Sequence, residues 1–525
     1  MGKGREFVDG GGLCSPGRWA PAQRQQSPPV AGDCFAALHR ILHVPCSPRD
    51  VLIQLACQKH SESPFPDDLL SEARAEVCKI LKNHGARLPL GAVPERQPFH
   101  LALVEDFLRL CGDPDYAAFY TASESFAKGV RIGVDADLPR TPEVFGPKVK
   151  WRDYEGEKDP DPVMRSNYPT AAQHADILER QFEDEAKLGA MVKMPIDEAK
   201  QRYGSKLRVA SLGAIQKTDD TFRVIHDATH GTGVNGRIYV QDQLVCPTAG
   251  DLRQAVRTLE GASFVLTADV KRAHRLVKIA EGDWGYQACR ARSDADYVWL
   301  NTVGSFGVSS AAVHWARLMS GLQRATFYLL GRAEVFLLTY VDDLLWIVRG
   351  SAAMDSTAVA LFFLVMVGLP MSWRKCKGGI SVDWVGYHIN LEKKTVGINV
   401  KRTRWLLDWC NKALERGTVS LGDFRSVIGR MSFAFAALEH LRPFLGPLYA
   451  WVAAVKADAA PLPEAVALSL RFIRDMLQKG YREQRILKQV GHVRELFRTD
   501  AKAEGEEIWI GGWCIADGGG VGSCR

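Results

Sequence analysis

Two acidic residues sit in the middle of an apolar run, Leu337-Leu-Thr-Tyr-Val-Asp-Asp-Leu-Leu-Trp-Ile-Val348, and this stretch constrains the chain more than any other. β-Branched and aromatic residues on both sides suit a pleated, packed surface. The run therefore reads as two short strands folded back on each other, with Asp342 and Asp343 at the tip. Ionised carboxylates beside a dry core cost several kcal/mol unless something compensates them. No Lys or Arg lies within five residues of the pair. A divalent cation is one reading of the hairpin; a solvated Asp-Asp turn is the other.

A second strand ends in the same way. In Phe264-Val-Leu-Thr-Ala-Asp-Val-Lys-Arg-Ala-His274 an apolar strand runs into Asp269 and a helix-compatible stretch follows. Neighbouring strands would set Asp269 and Asp342 side by side. Two carboxylates about 4 Å apart repel by roughly 4 kcal/mol at an effective dielectric near 20, so the cluster holds a proton or binds cations. Its donors are oxygens, and no His or Cys pair stands at zinc spacing, which favours Mg²⁺ over zinc.

The flanking segments supply positive charge and a close backbone approach. Val209 to Lys217 and Thr221 to Asp227 alternate like the strands of a hairpin turning at Thr218-Asp-Asp220. Lys217 and Arg223 then lie near one another, suited to triphosphate oxygens or simply to water. Gly304-Ser-Phe-Gly-Val-Ser-Ser310 is a small-residue loop opening a helix over Ala311–Leu330. Beyond the acidic hairpin come an apolar helix from Ala358 to Met371 and a further hairpin, Val382–Ile389 with Thr395–Val400.

Length and composition set the outer bounds. At 525 residues and 46% hydrophobic, the chain is long enough for three or four domains. Its twelve cysteines include no C-x-x-C pair, so neither a zinc site nor a secreted disulfide framework is suggested. The first residues show no signal peptide or lipid anchor, and the Ala358 stretch falls short of the ~20 residues that span a bilayer; an intracellular protein, in nucleus or cytoplasm and without membrane contact, is expected. Residues 401–499 hold 17 Lys/Arg against 9 Asp/Glu, a local excess larger than the net +6 of the whole chain. That basic module is either a nucleic-acid surface or a solvated helical face. Residues 1–33 are rich in Gly, Pro, Gln and Ser and read as disordered, and 34–150 as a helical region. Within that region Ser47-Pro48 starts one helix and Asp67–Asn83 forms another, stopped at Gly85. Pro139, Pro142 and Pro147 mark a linker, and 152–162 is too polar to fold alone.

In order, these pieces resemble the reverse transcriptase family, most closely retroelement polymerases of the tyrosine-recombinase (DIRS-type) group. The resemblance spans about residues 170–450 and rests on six motifs in sequence. Lys217, Arg223 and Asp227, with Gly233-Val-Asn235, resemble the fingers motif. Asp269 resembles the first catalytic aspartate, and Tyr340-Val-Asp-Asp343 the catalytic turn. Phe306-Gly307 resembles the loop under template and nucleotide, Lys375 the lysine near the departing pyrophosphate, and Trp384-Val-Gly-Tyr387 the primer grip. His274 stands where the family usually carries Tyr or Phe under the sugar, and Gln216 where Pro is common.

The resemblance implies an α+β right-hand polymerase: fingers over 151–260, a palm with an antiparallel sheet over 261–395 and a helical thumb over 396–490, preceded by the helical region. It implies an RNA-directed DNA polymerase acting on a primed RNA or DNA template with deoxynucleoside triphosphates. Asp269, Asp342 and Asp343 would hold two Mg²⁺ ions, which Mn²⁺ can replace. Lys217, Arg223, His274, Phe306, Gly307 and Lys375 would face the nucleotide, and Tyr340, Trp384, Gly386 and Tyr387 the primer and template. Leu496–Trp513 resembles the first two strands of an RNase H-like domain led by Asp500, a truncated stub over 494–525 without expected hydrolytic activity. The alternative is a catalytically inert retroelement remnant that binds nucleic acid through its basic thumb.

Overall fold

In the computed structural model the described residues are 26–45, 47–141, 144–148, 163–218, 221–486, and the strands within 497–524. The expected disorder of residues 1–25 and the polar stretch 152–162 lie outside them. Four helices open the described chain: α1 (Pro29–His43), α2 (Pro48–Ala56), α3 (Asp67–Asn83) and α4 (Leu101–Leu110). Helix α1 begins inside the stretch read as disordered to residue 33. Pro29 occupies its first turn, where the lost N–H is harmless, and Val30, Ala31, Cys34, Leu38 and Leu42 are buried. The local charge and turn composition of residues 1–28 hid that apolar face.

Next come β1 (Val163–Met164), α5 (Pro169–Ala172), α6 (Ala175–Lys187), β2 (Met191–Pro195), α7 (Ile196–Tyr203), β3 (Arg208–Ala210), β4 (Leu212–Thr218) and β5 (Thr221–His226). Two differences from the pattern matter. The helix-compatible stretch from Thr170 to Leu188, ahead of Gly189, is broken at Gln173 and His174, and the strand read as Val209–Lys217 divides at Ser211. Its first part joins a five-stranded sheet with β1, β2, β7 (Ala288–Cys289) and β8 (Tyr297–Asn301), while its second pairs with β5. A small core of Leu178, Phe182, Met191, Leu212, Phe222 and Trp299 seals the join.

The centre is a four-stranded antiparallel sheet. Its strands are β6 (Phe264–Asp269), β9 (Val335–Tyr340), β10 (Asp343–Val348) and β11 (Lys377–Gly379), in the order β11-β6-β10-β9. Helices α8 (Val234–Arg237) and α9 (Ala249–Thr258) precede it. Helices α10 (Ser309–Leu330) and α11 (Ser351–Met366) pack in the same core, Ala358 to Leu364 of α11 being fully buried. The chain continues as an antiparallel meander, β12 (Ser381–Trp384), β13 (Tyr387–Asn390) and β14 (Thr395–Ile398). The single strand expected over Val382–Ile389 is split by a turn at Val385-Gly386, both at positive φ. Helices α12 (Val400–Arg416), α13 (Leu421–Phe435), α14 (Leu445–Ala454) and α15 (Glu464–Gln478) follow.

Helices α1 to α4 do not stand apart from this sheet. Phe65 packs on Phe362 and Phe107 on Phe363 with ring centroids 5.0 and 5.3 Å apart. Buried Arg324 of α10 pairs with fully buried Asp113 at 2.6 Å, and Arg317 with Asp115 at 2.7 Å. Gly368 follows α11 at φ +99°, where a side chain would overlap the Pro98 carbonyl. A separate unit, from Arg485 on, contains three antiparallel strands, Phe497–Glu504, Glu507–Ile515 and Val521–Cys524. Its strand ranges cover the segment likened to an RNase H start. Among the described residues, no helix is long and apolar enough to cross a membrane.

Candidate active site

The register of the central sheet brings the acids together. Asp343 pairs with Asp269 across β10 and β6, and with Tyr340 across β10 and β9. The partner of Asp269 in the ladder is thus Asp343 rather than Asp342, one residue off the expected pairing. Asp342 sits in the two-residue turn, and its carbonyl accepts the Val270 N–H at 2.9 Å. The turn is strained: Val341 holds φ +58°, an outlier for a β-branched residue. The Trp315 indole N–H, donating to the Val341 carbonyl at 2.7 Å, pins it from α10.

Asp269 and Asp342 line one cleft of about 470 Å³ together with Lys217, Arg223, Phe306 and Lys375. Six of the residues expected to act together are therefore neighbours, although they span 159 positions of sequence from Lys217 to Lys375. Lys375 donates to both oxygens of Asp269 at 2.9 and 3.0 Å. Burial raises the Asp342 carboxyl, and the charge on Asp269 adds to the rise. Burial, with the charges on Asp342 and Asp269, pushes Asp343 up to about 6.

These shifts are a stability statement. A carboxyl that titrates near 6 when folded but near 3.8 when free is stabilising to neither state in acid, and penalises the fold as pH rises from about 4 to 6. Asp343→Asn should match the native melting temperature at pH 3.5 to 4 and exceed it above pH 6.5, by on the order of 2 °C for a partly exposed group. A difference that shrinks with rising pH contradicts the mutual repulsion of the acids.

Among the described residues, no three His, Cys, Asp or Glu side chains form a ready metal cage. The acids still fit a hard cation. Mg²⁺ is commonly held by one or two carboxylates, with water and substrate phosphate completing the shell, and charges that push one another's protonation upward are what such an ion relieves.

The loop beneath the cleft is held from three sides. Asn235 Nδ2 donates to the Gly307 carbonyl at 2.7 Å and its Oδ1 accepts the Ser309 N–H at 2.9 Å, while His226 N–H donates to the Phe306 carbonyl at 3.0 Å. Gly307, at φ +108°, lies so close that a side chain would overlap the His226 carbonyl. Phe306 is left with its ring nearly half exposed. Asp227 acts locally. Burial works upward on its carboxyl, but hydrogen bonds from Tyr168, from the His230 and Thr229 amides and from the His230 ring hold it at about 2.

Three expected contact residues are placed differently. His274 is buried, its ring edge-on to Phe306 at 5.2 Å, so it backs that ring instead of lining the cleft. Trp384 and Tyr387 are buried as well; Tyr387 stacks on Phe433 at 4.8 Å and donates to its carbonyl. Their apolar bodies belong to the meander's core, which leaves Tyr340 and the Val385-Gly386 backbone as the accessible part of that corner. Sequence reading missed Glu185, Arg272 and Arg275, which line the same cleft. Two arginines just after a strand-ending aspartate were visible, but nothing local pointed to their carboxylate ninety positions upstream.

No family model matches the chain, and no curated protein matches it. Solved structures do, remotely and over part of their length. The foamy viral protease-reverse transcriptase dRH in complex with double-stranded DNA is 14% identical at a TM-score of 0.48, over 72% of this chain and 60% of that one. The foamy viral enzyme with double-stranded DNA gives 14% and 0.47, over 72% of this chain and 71% of that one. With an RNA/DNA hybrid it gives 15% and 0.46, over 70% and 45%. The chain thus spans about 60% of the length of the first of these.

Proposed function

We propose that the chain is a retroelement-type reverse transcriptase, an RNA-directed DNA polymerase that adds deoxynucleotides to a primer 3′-hydroxyl. The observation that carries this reading is the meeting of Asp269 and Asp342 in one cleft with Lys217, Arg223 and Lys375, Asp343 being paired with Asp269 in the sheet. Carboxylates for hard cations opposite side chains for phosphate is the arrangement phosphoryl transfer requires. The sequence order of the motifs, and their likeness to the tyrosine-recombinase group, support the retroelement assignment.

In this reading the central sheet is the palm, β4 and β5 belong to the fingers and α12 to α15 to the thumb. Asp269, Asp342 and Asp343 would hold two Mg²⁺ ions, or Mn²⁺, which when bound supply activation of the attacking hydroxyl and neutralisation of the leaving phosphates. Lys217 and Arg223 bind triphosphate oxygens. Lys375 holds Asp269 in place through both carboxylate oxygens. Phe306 offers a flat face to a base, and His274 fixes that ring from behind. The exposed Lys401, Arg404, Arg425 and Arg430 contact duplex phosphates, which position without reading sequence.

Primer extension by the full chain on poly(rA)/oligo(dT) with thymidine triphosphate tests the proposal. Extension that requires Mg²⁺ or Mn²⁺ is expected. Duplex binding without extension under either ion overturns the enzyme reading in favour of an inert nucleic-acid binder.

A further inference from the structure

The turn after Asp269 carries a charge arrangement that its own residues leave unbalanced. One carboxylate, Glu185 on α6, takes two guanidinium groups. Arg272 bonds each of its oxygens at 2.8 Å, and Arg275 bonds Oε2 through Nε at 3.0 Å and Nη2 at 2.7 Å. Burial works upward on the Glu185 carboxyl, yet the two arginines hold it below its ordinary range.

The two arginines are not equivalent. Arg275 is largely buried and its other partners are neutral, the Asn301 amide oxygen at 2.6 Å among them, so it depends on Glu185 for its counter-charge. Arg272 keeps a third of its side chain exposed on the cleft wall, where six cationic residues face three acidic ones. Its backbone sits at φ +67°, a left-handed conformation that a residue with a side chain adopts when its surroundings impose it. Glu185 satisfied by Arg275 alone would still be a complete pair. Arg272 is then the spare cation, and its planar fork matches phosphate as well as carboxylate.

We propose that Arg272 is a phosphate-binding residue of the cleft, exchanging Glu185 for the oxygens of an entering nucleoside triphosphate while Arg275 stays on Glu185. The nucleoside part rests on the polymerase reading; the anion exchange does not. Titration calorimetry of the full chain with inorganic tripolyphosphate, without divalent ions, tests the exchange alone. Arg272→Gln should weaken binding about tenfold and Arg272→Lys only about threefold. Glu185→Gln should tighten binding several-fold, because the competing carboxylate charge is gone. A merely structural pair predicts the opposite sign. Binding by Arg272→Gln within twofold of native, or weaker binding by a cooperatively melting Glu185→Gln, overturns the proposal; if Glu185→Gln does not fold, the two Arg272 variants decide. Tripolyphosphate binding that follows this pattern in a chain unable to extend a primer supports the exchange and refutes the polymerase.

Discussion

Asp269→Asn is expected to reduce divalent-dependent primer extension about a thousand-fold or more, and Asp342→Asn to do the same, with duplex binding nearly unchanged. The substitution keeps shape and removes one charge from the group that would hold the cations, and catalysis by positioned charge is sensitive to single groups. Its structural cost is small. Lys375, the partner of Asp269, is about two-thirds exposed, so its ammonium returns to water when the carboxylate goes. Extension at fixed duplex occupancy, with a thermal melt beside it, separates lost chemistry from lost fold. Extension within tenfold of native by either variant sinks the assignment of these acids.

A chain beginning at Gly129 is expected not to fold, although the motifs that resemble a polymerase all lie after that point. Removing α1 to α4 strips Phe65, Phe99, Phe107 and Phe119 from the shared core, each fully buried and worth roughly 1.5–3 kcal/mol. Native stability is only about 5–15 kcal/mol. The same deletion leaves Arg324 buried without Asp113. A graded version is Arg324→Met in the full chain, which strands Asp113 and should cost about 3–5 kcal/mol in chemical denaturation. A soluble, cooperatively melting shortened chain would show that the helices are an appendage instead.

The sequence made the acidic hairpin legible because its constraint is local: a period-two apolar pattern cannot tolerate two acids except at a turn. The strand ending at Asp269 and the helix after Ser310 were readable for the same reason. What escaped depends on distance along the chain. The turn at Val341-Asp342 closes on two residues only, which Val341 gives no hint of, since two-residue turns usually announce themselves with Gly or Asn, and Asp343, the first residue of β10, is the one that pairs with Asp269. The burial of Tyr387 follows from α13 supplying Phe433, forty-six positions further on. The apolar face of α3, with Leu70, Ala73, Val77 and Leu81, is buried as its sequence pattern reads, but the pattern does not show that this face joins the core of the central sheet.

The strained hairpin tip also works as a gauge. Its span is set by two residues, and both flanking strands are locked by pairing, Asp343 against Tyr340 on one side and Asp269 on the other. Lengthening the tip by one amino acid with the pairing slipped to match would turn every subsequent side chain of β10 over, exchanging Leu344 and Trp346 with Leu345 and Ile347 between two faces that are both packed, and taking Asp343 away from the side it shares with Asp269. A swap of identity at the tip leaves this register alone, whereas a change of length is read out as an inversion of the whole strand.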